Sequence, residues 1–404
     1  MAERIHIGVG EISRYFEELE DPRSPINRLH PLPSVMAICI LAVLAGAGGP
    51  TAIAEWADLK KEILPQWLDL PHGVPAKDVY RRVLSALKPE AFRACFVNWL
   101  KSLRDSAEAS AEASAEASAE ASAEADGDGH GKRSHMAVDG KTARRSHDRR
   151  KGLGALHLVS VWATRFGLSL GQVAADEKSN EITAIPELLR LVDTRGAIIT
   201  IDAMGTQKEI ARQIVDGGAD YVLALKGNQQ SLHEAVIERF NEQMENDFAD
   251  VDAQQHETHE KGHGREETRT YYQMPAPADL PGLKLWQGLL TIGMVISVVW
   301  RNGVETRECR CFISSLPMDV KQFAWAVRAH WGIENSCHWS LDVTYREDES
   351  RIREEFTREN FAWLNRFTLS LLKQHPGRQS IAMKRRSCGW SDDFLTQVVT
   401  GKAT

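Results

Sequence analysis

The chain has 404 residues, of which 43% are apolar and 26% charged, which is typical of a soluble globular protein of two or three domains. The longest apolar run, at about residues 35–46, is too short to cross a bilayer and predicts a buried helix instead. The first residues lack the apolar core of a signal peptide, so we expect a cytoplasmic, nucleoid-associated protein with no membrane partner.

The formal net charge of −7 does not at first favour a nucleic-acid-binding protein. One segment accounts for it, because eight acidic residues and no basic ones lie between positions 105 and 128. Without them the net charge would be +1, which leaves room for the local basic patches that engage phosphate. The six cysteines include no C-x-x-C pair with zinc spacing, so we expect them all to be reduced.

Residues 1–104 predict a small all-helical N-terminal domain. Asp78 is placed to cap one of its helices, and the pair Arg81 and Arg82 is compatible either with DNA binding or with a solvated face. Residues 105–131 repeat the letters SAEA with a period of four, which gives no fixed apolar stripe on a helix. We interpret this segment as a partly helical linker.

Residues 132–375 begin with the order β-β-β-α-β-α-β, which predicts an α/β domain with a mixed sheet. From about 229 to 325 one helix is followed by three strand-like runs, ETRTYYQM, LLTIGMVISVVWRN and ETRECRCFISSL, so we expect a β-rich insertion. In the last run Cys309 and Cys311 would share one face of a strand. Long helical patterns then follow, and residues 376–404 predict a basic, loop-rich C-terminal tail.

Two aspartates stand at the ends of apolar strands, Asp139 after MAV and Asp202 after IITI. Burying a carboxylate there costs free energy unless it caps a turn, forms an ion pair or binds a metal. Two such aspartates in one sheet favour a metal site. Glu334 lies in HWGIENSCHW, where His330 and His338 flank it at helical spacing. Zinc is an alternative there, although zinc helices usually offer histidines four apart, whereas these are eight apart.

Three carboxylates from separate elements suit two Mg²⁺ (or Mn²⁺) ions, since these ions prefer oxygen ligands and keep several waters. Two ions about 4 Å apart can activate an attacking oxygen and stabilise a leaving oxygen during phosphodiester chemistry.

Six motifs follow one another along the chain: AVDGKTARRS, EKSNEITAIPELL, ITIDAMGTQKEIA, YVLALKGNQ, GHGREETR and HWGIENSCHWSLDVTYREDESRIR. Their order is similar to that in the DDE-type transposases of bacterial insertion sequences, in the branch with the H-repeat-associated proteins. The chain resembles that family over about residues 10–375 apart from the linker. The resemblance implies a ribonuclease-H-like fold with an insertion, and it places the family's three catalytic and metal-binding acids on Asp139, Asp202 and Glu334.

One departure concerns the Tyr-Arg-Glu-Lys signature that often surrounds the glutamate of related transposases. Its positions hold Val327, His330 and Leu341 around Glu334 here, so the signature is incomplete. Glu347, in the sequence Tyr-Arg-Glu, is therefore the alternative third acid. Residues near the predicted site are expected to contact DNA phosphates; they are Lys141, Arg144, Arg145, Lys226, Asn228, His330, Arg346 and Arg351.

The function that the resemblance implies is transposition, with double-stranded DNA bearing terminal inverted repeats as partner and a homodimer in the synaptic complex. Two alternatives stay open. A nuclease of the same fold would cleave DNA without joining strands, and a non-catalytic relic would only bind it.

Overall fold

A computed structural model of the chain describes residues 9–99, 133–175, 181–262 and 264–400. The N-terminal part is helical, as predicted: α1 (Val9–Arg14), α2 (Leu32–Leu44), α3 (Pro50–Leu59), α4 (Leu64–Trp67), α5 (Lys77–Ala86) and α6 (residues 89–99). Helix α2 is the apolar run, and it is buried along nearly its whole length. The cap of α5 is Ala76, so the expected capping role of Asp78 is wrong; that side chain lies in the first turn instead. The predicted SAEA linker falls outside the described residues.

A nine-stranded mixed sheet follows, in the order β3-β2-β1-β4-β5-β9-β8-β7-β6. Along the chain, the first elements of this sheet domain are β1 (His135–Ala143), β2 (Leu156–Ala163), β3 (Leu168–Ala175), α7 (Glu181–Leu191), β4 (Ile198–Ile201), α8 (Lys208–Asp216) and β5 (Asp220–Leu225). Strands β1, β4 and β5 run parallel, whereas β2 and β3 are antiparallel to their neighbours. The predicted mixed sheet and ribonuclease-H-like order are confirmed.

The β-rich insertion extends this sheet because its last strand pairs with β5. It consists of α9 (Gln230–Glu245), β6 (Gln254–Gly262), β7 (Arg265–Pro275), β8 (Thr291–Arg301) and β9 (Val304–Ser314). The sequence predicts three of these strands. Strand β6 is an additional one, mostly exposed and polar on both faces, so it lacks the apolar alternation that marks a half-buried strand.

The chain after β9 is helical: α10 (Val320–Gly332), a π-helical segment (Ile333–His338), α11 (Trp339–Val343), α12 (Glu355–Gln374), α13 (Ile381–Trp390) and α14 (Asp392–Thr400). The expected loop-rich tail is wrong, since α13 and α14 bury Cys388, Leu395, Val398 and Val399 in the main core. Among the described helices, none is long and apolar enough to cross a membrane.

The N-terminal helices and the sheet domain share one hydrophobic core. Helix α12 lies between them and contacts α2, α5 and β3. Its buried Asn360 donates to the carbonyls of Leu84 and Leu87 at 2.9 and 2.8 Å, and Arg93 Nη1 lies 2.9 Å from Glu187 Oε1 on α7. The helical region is therefore anchored to the sheet domain by polar contacts as well as by apolar packing.

Candidate active site

Asp139 and Asp202 follow equivalent positions on two adjacent parallel strands. Val138 of β1 pairs with Ile201 of β4, and each aspartate is the next residue along the chain. Asp202 directly follows β4 as expected, whereas Asp139 lies within β1, which continues to Ala143. The two strands run in the same direction, which brings both carboxylates to the same edge of the sheet. The positions predicted from the two apolar runs therefore meet in space.

Each aspartate uses one carboxylate oxygen to accept backbone hydrogen bonds. Asp139 Oδ1 accepts from Gly140 N at 2.8 Å, and Asp202 Oδ1 accepts from Met204 N and Gly205 N at 3.1 and 3.3 Å. The bonds to Asp202 fix the turn that follows β4, whereas the bond to Asp139 lies within β1. Both are compatible with a site role, because each carboxylate keeps a second oxygen for another ligand.

Burial raises the pKa of Asp139 to about 7, and the negative charges of Asp202, Glu334 and Glu181 raise it further. The hydrogen bond from Gly140 N lowers the pKa and offsets part of this rise. The side chain is 17% exposed. Mutual repulsion of this kind requires that the acids lie close together. The three predicted acids therefore form one electrostatic cluster, joined by Glu181.

Glu334 reaches the cluster from the π-helical segment between α10 and α11. Ile333 and Cys337 of this segment are buried, whereas Glu334 is exposed on the side of the aspartates. Single π-turns within α-helices occur frequently at functional sites because the extra residue redirects the side chains. Here the wider turn sets the direction of Glu334.

Two histidines border the acids and are neutral. His330 Nδ1 lies 2.8 Å from Thr200 Oγ1, and His338 Nδ1 lies 3.4 Å from Asp139 Oδ2. Burial is the main cause that lowers their pKa values, to about 4 for His330 and about 3 for His338. The carboxylates thus have imidazole neighbours that do not neutralise their charge.

The donor set suits a hard divalent cation better than zinc. Its members are carboxylate oxygens, and both Asp202 and Glu334 are exposed enough to share a cation with water and a substrate phosphate. Within the described ranges, no three His, Cys, Asp or Glu side chains converge as a ready-made metal cage. An open all-oxygen site completed by water and substrate fits this arrangement, and a closed zinc site does not.

Glu347, the alternative third acid, has a different environment. It is 4% exposed, and its Oε1 lies 2.9 Å from Nη1 of the fully buried Arg366. Its other oxygen lies 4.0 Å from Lys141 Nζ. The geometry therefore favours Glu334 over Glu347 as the neighbour of Asp139.

The residues expected to contact phosphate fall into two groups. Lys141 is buried, and its ammonium lies 2.6 Å from Asp342 Oδ1 and 3.4 Å from Asp348 Oδ1. His330 is turned toward Thr200. Both side chains therefore have protein partners in the described structure. The remaining six residues are exposed; they are Arg144, Arg145, Lys226, Asn228, Arg346 and Arg351. Among them, Arg144 and Arg346 form ion pairs with acidic residues, and Asn228 donates to a backbone carbonyl.

A buried pair beside Asp139 has no clear signal in the sequence. Glu181 Oε1 lies 2.7 Å from His157 Nε2, and His157 Nδ1 lies 2.7 Å from Thr142 Oγ1. The pair packs against Gly140, where an added Cβ would lie 2.7 Å from His157 Nε2. The position of Glu181 at the start of a helix is compatible with simple capping, so only the tertiary structure reveals this contact.

Comparisons with known proteins agree with these features. Residues 130–372 match the family model described as "Transposase DDE domain", and residues 13–100 match the one described as "DDE_Tnp_1-associated". The chain is 33% identical to "H repeat-associated putative transposase YhhI" of Escherichia coli strain K12, over 97% of this chain and 98% of that protein. It is 34% identical to "Putative transposase YncI" of Escherichia coli O157:H7, over 95% and 93%. It is 40% identical to "Uncharacterized protein in dhlA 3'region" of Xanthobacter autotrophicus, over 76% and 94%.

Proposed function

Because the chain belongs to the family of transposases with a DDE domain, we propose that it cleaves DNA at the ends of a mobile element and joins the freed 3′-hydroxyl ends to target DNA. Its substrate is double-stranded DNA with terminal inverted repeats. Two ends must be held together for joining, so two copies of the chain act in the synaptic complex.

The observation that carries this proposal is that Asp139, Asp202 and Glu334 are electrostatic neighbours. The aspartates follow paired residues of adjacent parallel strands, and the pKa of Asp139 is raised by both other acids. These three side chains would hold two Mg²⁺ or Mn²⁺ ions. When bound, such ions activate the attacking oxygen and stabilise the leaving oxygen of a phosphodiester.

The remaining chemistry belongs to the protein. Backbone amides of Gly140, Met204 and Gly205 hold one oxygen of each aspartate and so orient the other oxygen toward the substrate. The neutral His338 contacts Asp139 without neutralising it. Exposed cationic side chains near these strands, such as Arg145 and Lys226, are placed to bind the DNA backbone.

The test uses the purified full chain with labelled DNA carrying the ends of the element, a target plasmid and Mg²⁺. We expect strand cleavage and joined products from the natural chain. Asp139→Ala, Asp202→Ala and Glu334→Ala should each abolish both reactions and retain binding to the ends. Metal-dependent cleavage that persists in all three variants would contradict the assignment of the acids.

The same assay separates the alternatives. Nicked ends with no joined product would indicate a nuclease of this fold. Binding without any cleavage by the natural chain would indicate a non-catalytic DNA-binding protein.

A further inference from the structure

A basic groove lies on the insertion, outside the acid cluster. It encloses about 840 Å³ between one face of strands β7 to β9, the edge strand β6 and helix α10. Arg328 of α10 closes one side, since its Nε and Nη2 each lie 3.1 Å from the carboxylate of Glu260 on β6. The groove is therefore a defined structural feature, with a sheet floor and a helical wall.

Strand register arranges the floor in rows across the sheet. The row nearest the C-terminal end of α10 consists of Tyr271, Val295 and Arg310. The next row consists of Arg269, Ser297 and Glu308. The outermost row includes Arg265 and Arg301, close to the hairpin turns. Since residues two apart on a strand face the same side, these rows give one continuous surface that leads outward from α10.

The charge of the groove is net positive. Five arginines and three glutamates lie on its floor, its edge strand or α10, whereas Lys261 and Arg307 have the register of the opposite face of the sheet. The glutamates orient the inner arginines: Arg269 Nη2 lies 2.7 Å from Glu267, and Arg310 Nε lies 2.8 Å from Glu308. Guanidinium groups that are held in this way still have N–H donors for phosphate oxygens.

The outer end offers cations that no acid neutralises. Arg301 is one such cation, since it is exposed, has the register of the floor and forms no ion pair with any described residue. Surface arginines without acidic partners interact with polyanions at little desolvation cost, and their contribution depends on salt.

The inner end of the groove reaches the acid cluster. The Arg310 guanidinium lies 4.6 Å from the ring of Trp331, and its charge helps to lower the pKa of His330. Asn335, which also lines the groove, is the residue after Glu334. A polymer bound along the groove would therefore pass directly to the three carboxylates.

We propose that this groove binds the sugar-phosphate backbone of the DNA strand that continues beyond the cleavage position. The inference rests on the proposed function, because the strand must enter from the acid cluster. A DNA backbone fits the groove's net positive charge and its length along the sheet.

The test measures binding of a fluorescein-labelled random-sequence duplex by anisotropy over a series of salt concentrations. Each lost phosphate contact lowers the slope of log K against log salt by about 0.9. The variant Arg301→Gln should therefore lower that slope by about one and weaken binding roughly threefold at moderate salt. Arg301 is exposed and forms no ion pair with any described residue, so thermal unfolding should not change.

The matched control is Lys284→Gln, which removes one exposed positive charge outside the groove. We expect it to bind nearly as the natural chain does. Equal loss in the control and groove variants, or an unchanged slope in the groove variant, would overturn the inference. Normal DNA binding by the groove variant with lost binding of a polyglutamate peptide would assign the groove to an acidic protein instead.

Failure of the proposed function is separable from failure of this inference. Asp139→Ala should retain the natural salt slope, because it leaves the groove arginines in place. If the natural chain shows no metal-dependent cleavage but the groove variant still loses binding, the catalytic proposal fails and the groove still binds DNA.

Discussion

Glu347 and Arg366 form an ion pair in the protein interior, with 2.9 Å between Oε1 and Nη1 and exposed fractions of 4% and 1%. Arg366 lies on α12, and Glu347 lies in the turn after α11. The pair therefore joins the chain that follows Glu334 to the helix that also anchors the N-terminal region. This contact assigns a structural role to Glu347, although it lies close to Glu334 in the sequence.

Glu347→Ala should destabilise the protein by about 3–5 kcal/mol, because it leaves a buried guanidinium without its partner. Glu334→Ala removes an exposed side chain and should change the free energy of unfolding by less than about 0.5 kcal/mol. Urea denaturation followed by circular dichroism measures both. A destabilised Glu334→Ala variant together with an unaffected Glu347→Ala variant would reverse the two roles.

Gly140→Ala should destabilise the protein by about 1–3 kcal/mol and reduce cleavage. The new Cβ would lie 2.7 Å from His157 Nε2, so the buried His157–Glu181 bond must shift, and Asp139 is the adjacent residue. Gly227→Ala is the control, because no atom lies within 4 Å of its added Cβ. Unfolding midpoints and cleavage rates of both variants test this; a Gly140→Ala variant that behaves like the control would show that the pair can move aside.

Local sequence pattern was sufficient for the parts of the fold that are apolar and regular. The runs that end at Asp139 and Asp202 are buried strands, and their order predicts the mixed sheet. Strand β6 lacks that pattern, since it is polar on both faces. Helices α13 and α14 were missed because the basic run KRR and Gly389 conceal the few apolar residues that the core buries.

The site could be predicted in part for a related reason. Strand ends and motifs identified the acids from nearby residues, whereas the partners of Lys141 lie about two hundred residues away in the sequence. No local signal shows that Asp342 and Asp348 take up its charge. The π-helical turn that carries Glu334 is hidden in the same way, because its residues have an ordinary α-helical pattern.

Glu359→Gln should stabilise the protein at pH 8 and should do so progressively less as the pH falls toward 5. Burial, followed by repulsion from Glu90, raises the pKa of Glu359 to about 7, above its ordinary value of 4.5, and Arg93 and Arg358 oppose this shift only in part. The folded state therefore binds this proton more tightly than the unfolded state. Its stabilising effect is complete below the ordinary pKa and is lost as the pH rises through about 7.

Thermal unfolding midpoints of the natural chain and the Glu359→Gln variant, measured between pH 5 and pH 8, check this dependence. Glu355→Gln, an exposed glutamate on the same helix, is the control and should show no such divergence. Parallel curves for the natural chain and Glu359→Gln would mean that Glu359 is ionised in the folded protein throughout this range.

Asn360→Ala should destabilise the whole molecule by about 2–4 kcal/mol. The change leaves the carbonyls of Leu84 and Leu87 without their buried donor, and each such loss costs about 1–3 kcal/mol.

Because the N-terminal helices share one core with the sheet domain, we expect circular dichroism and tryptophan fluorescence to report the same urea transition in the natural chain. Asn246→Ala, which removes an exposed amide from the end of α9, should change stability by less than about 0.5 kcal/mol. Two separate transitions in the natural chain would show instead that the helical region unfolds independently, and Asn360→Ala would then shift only the first.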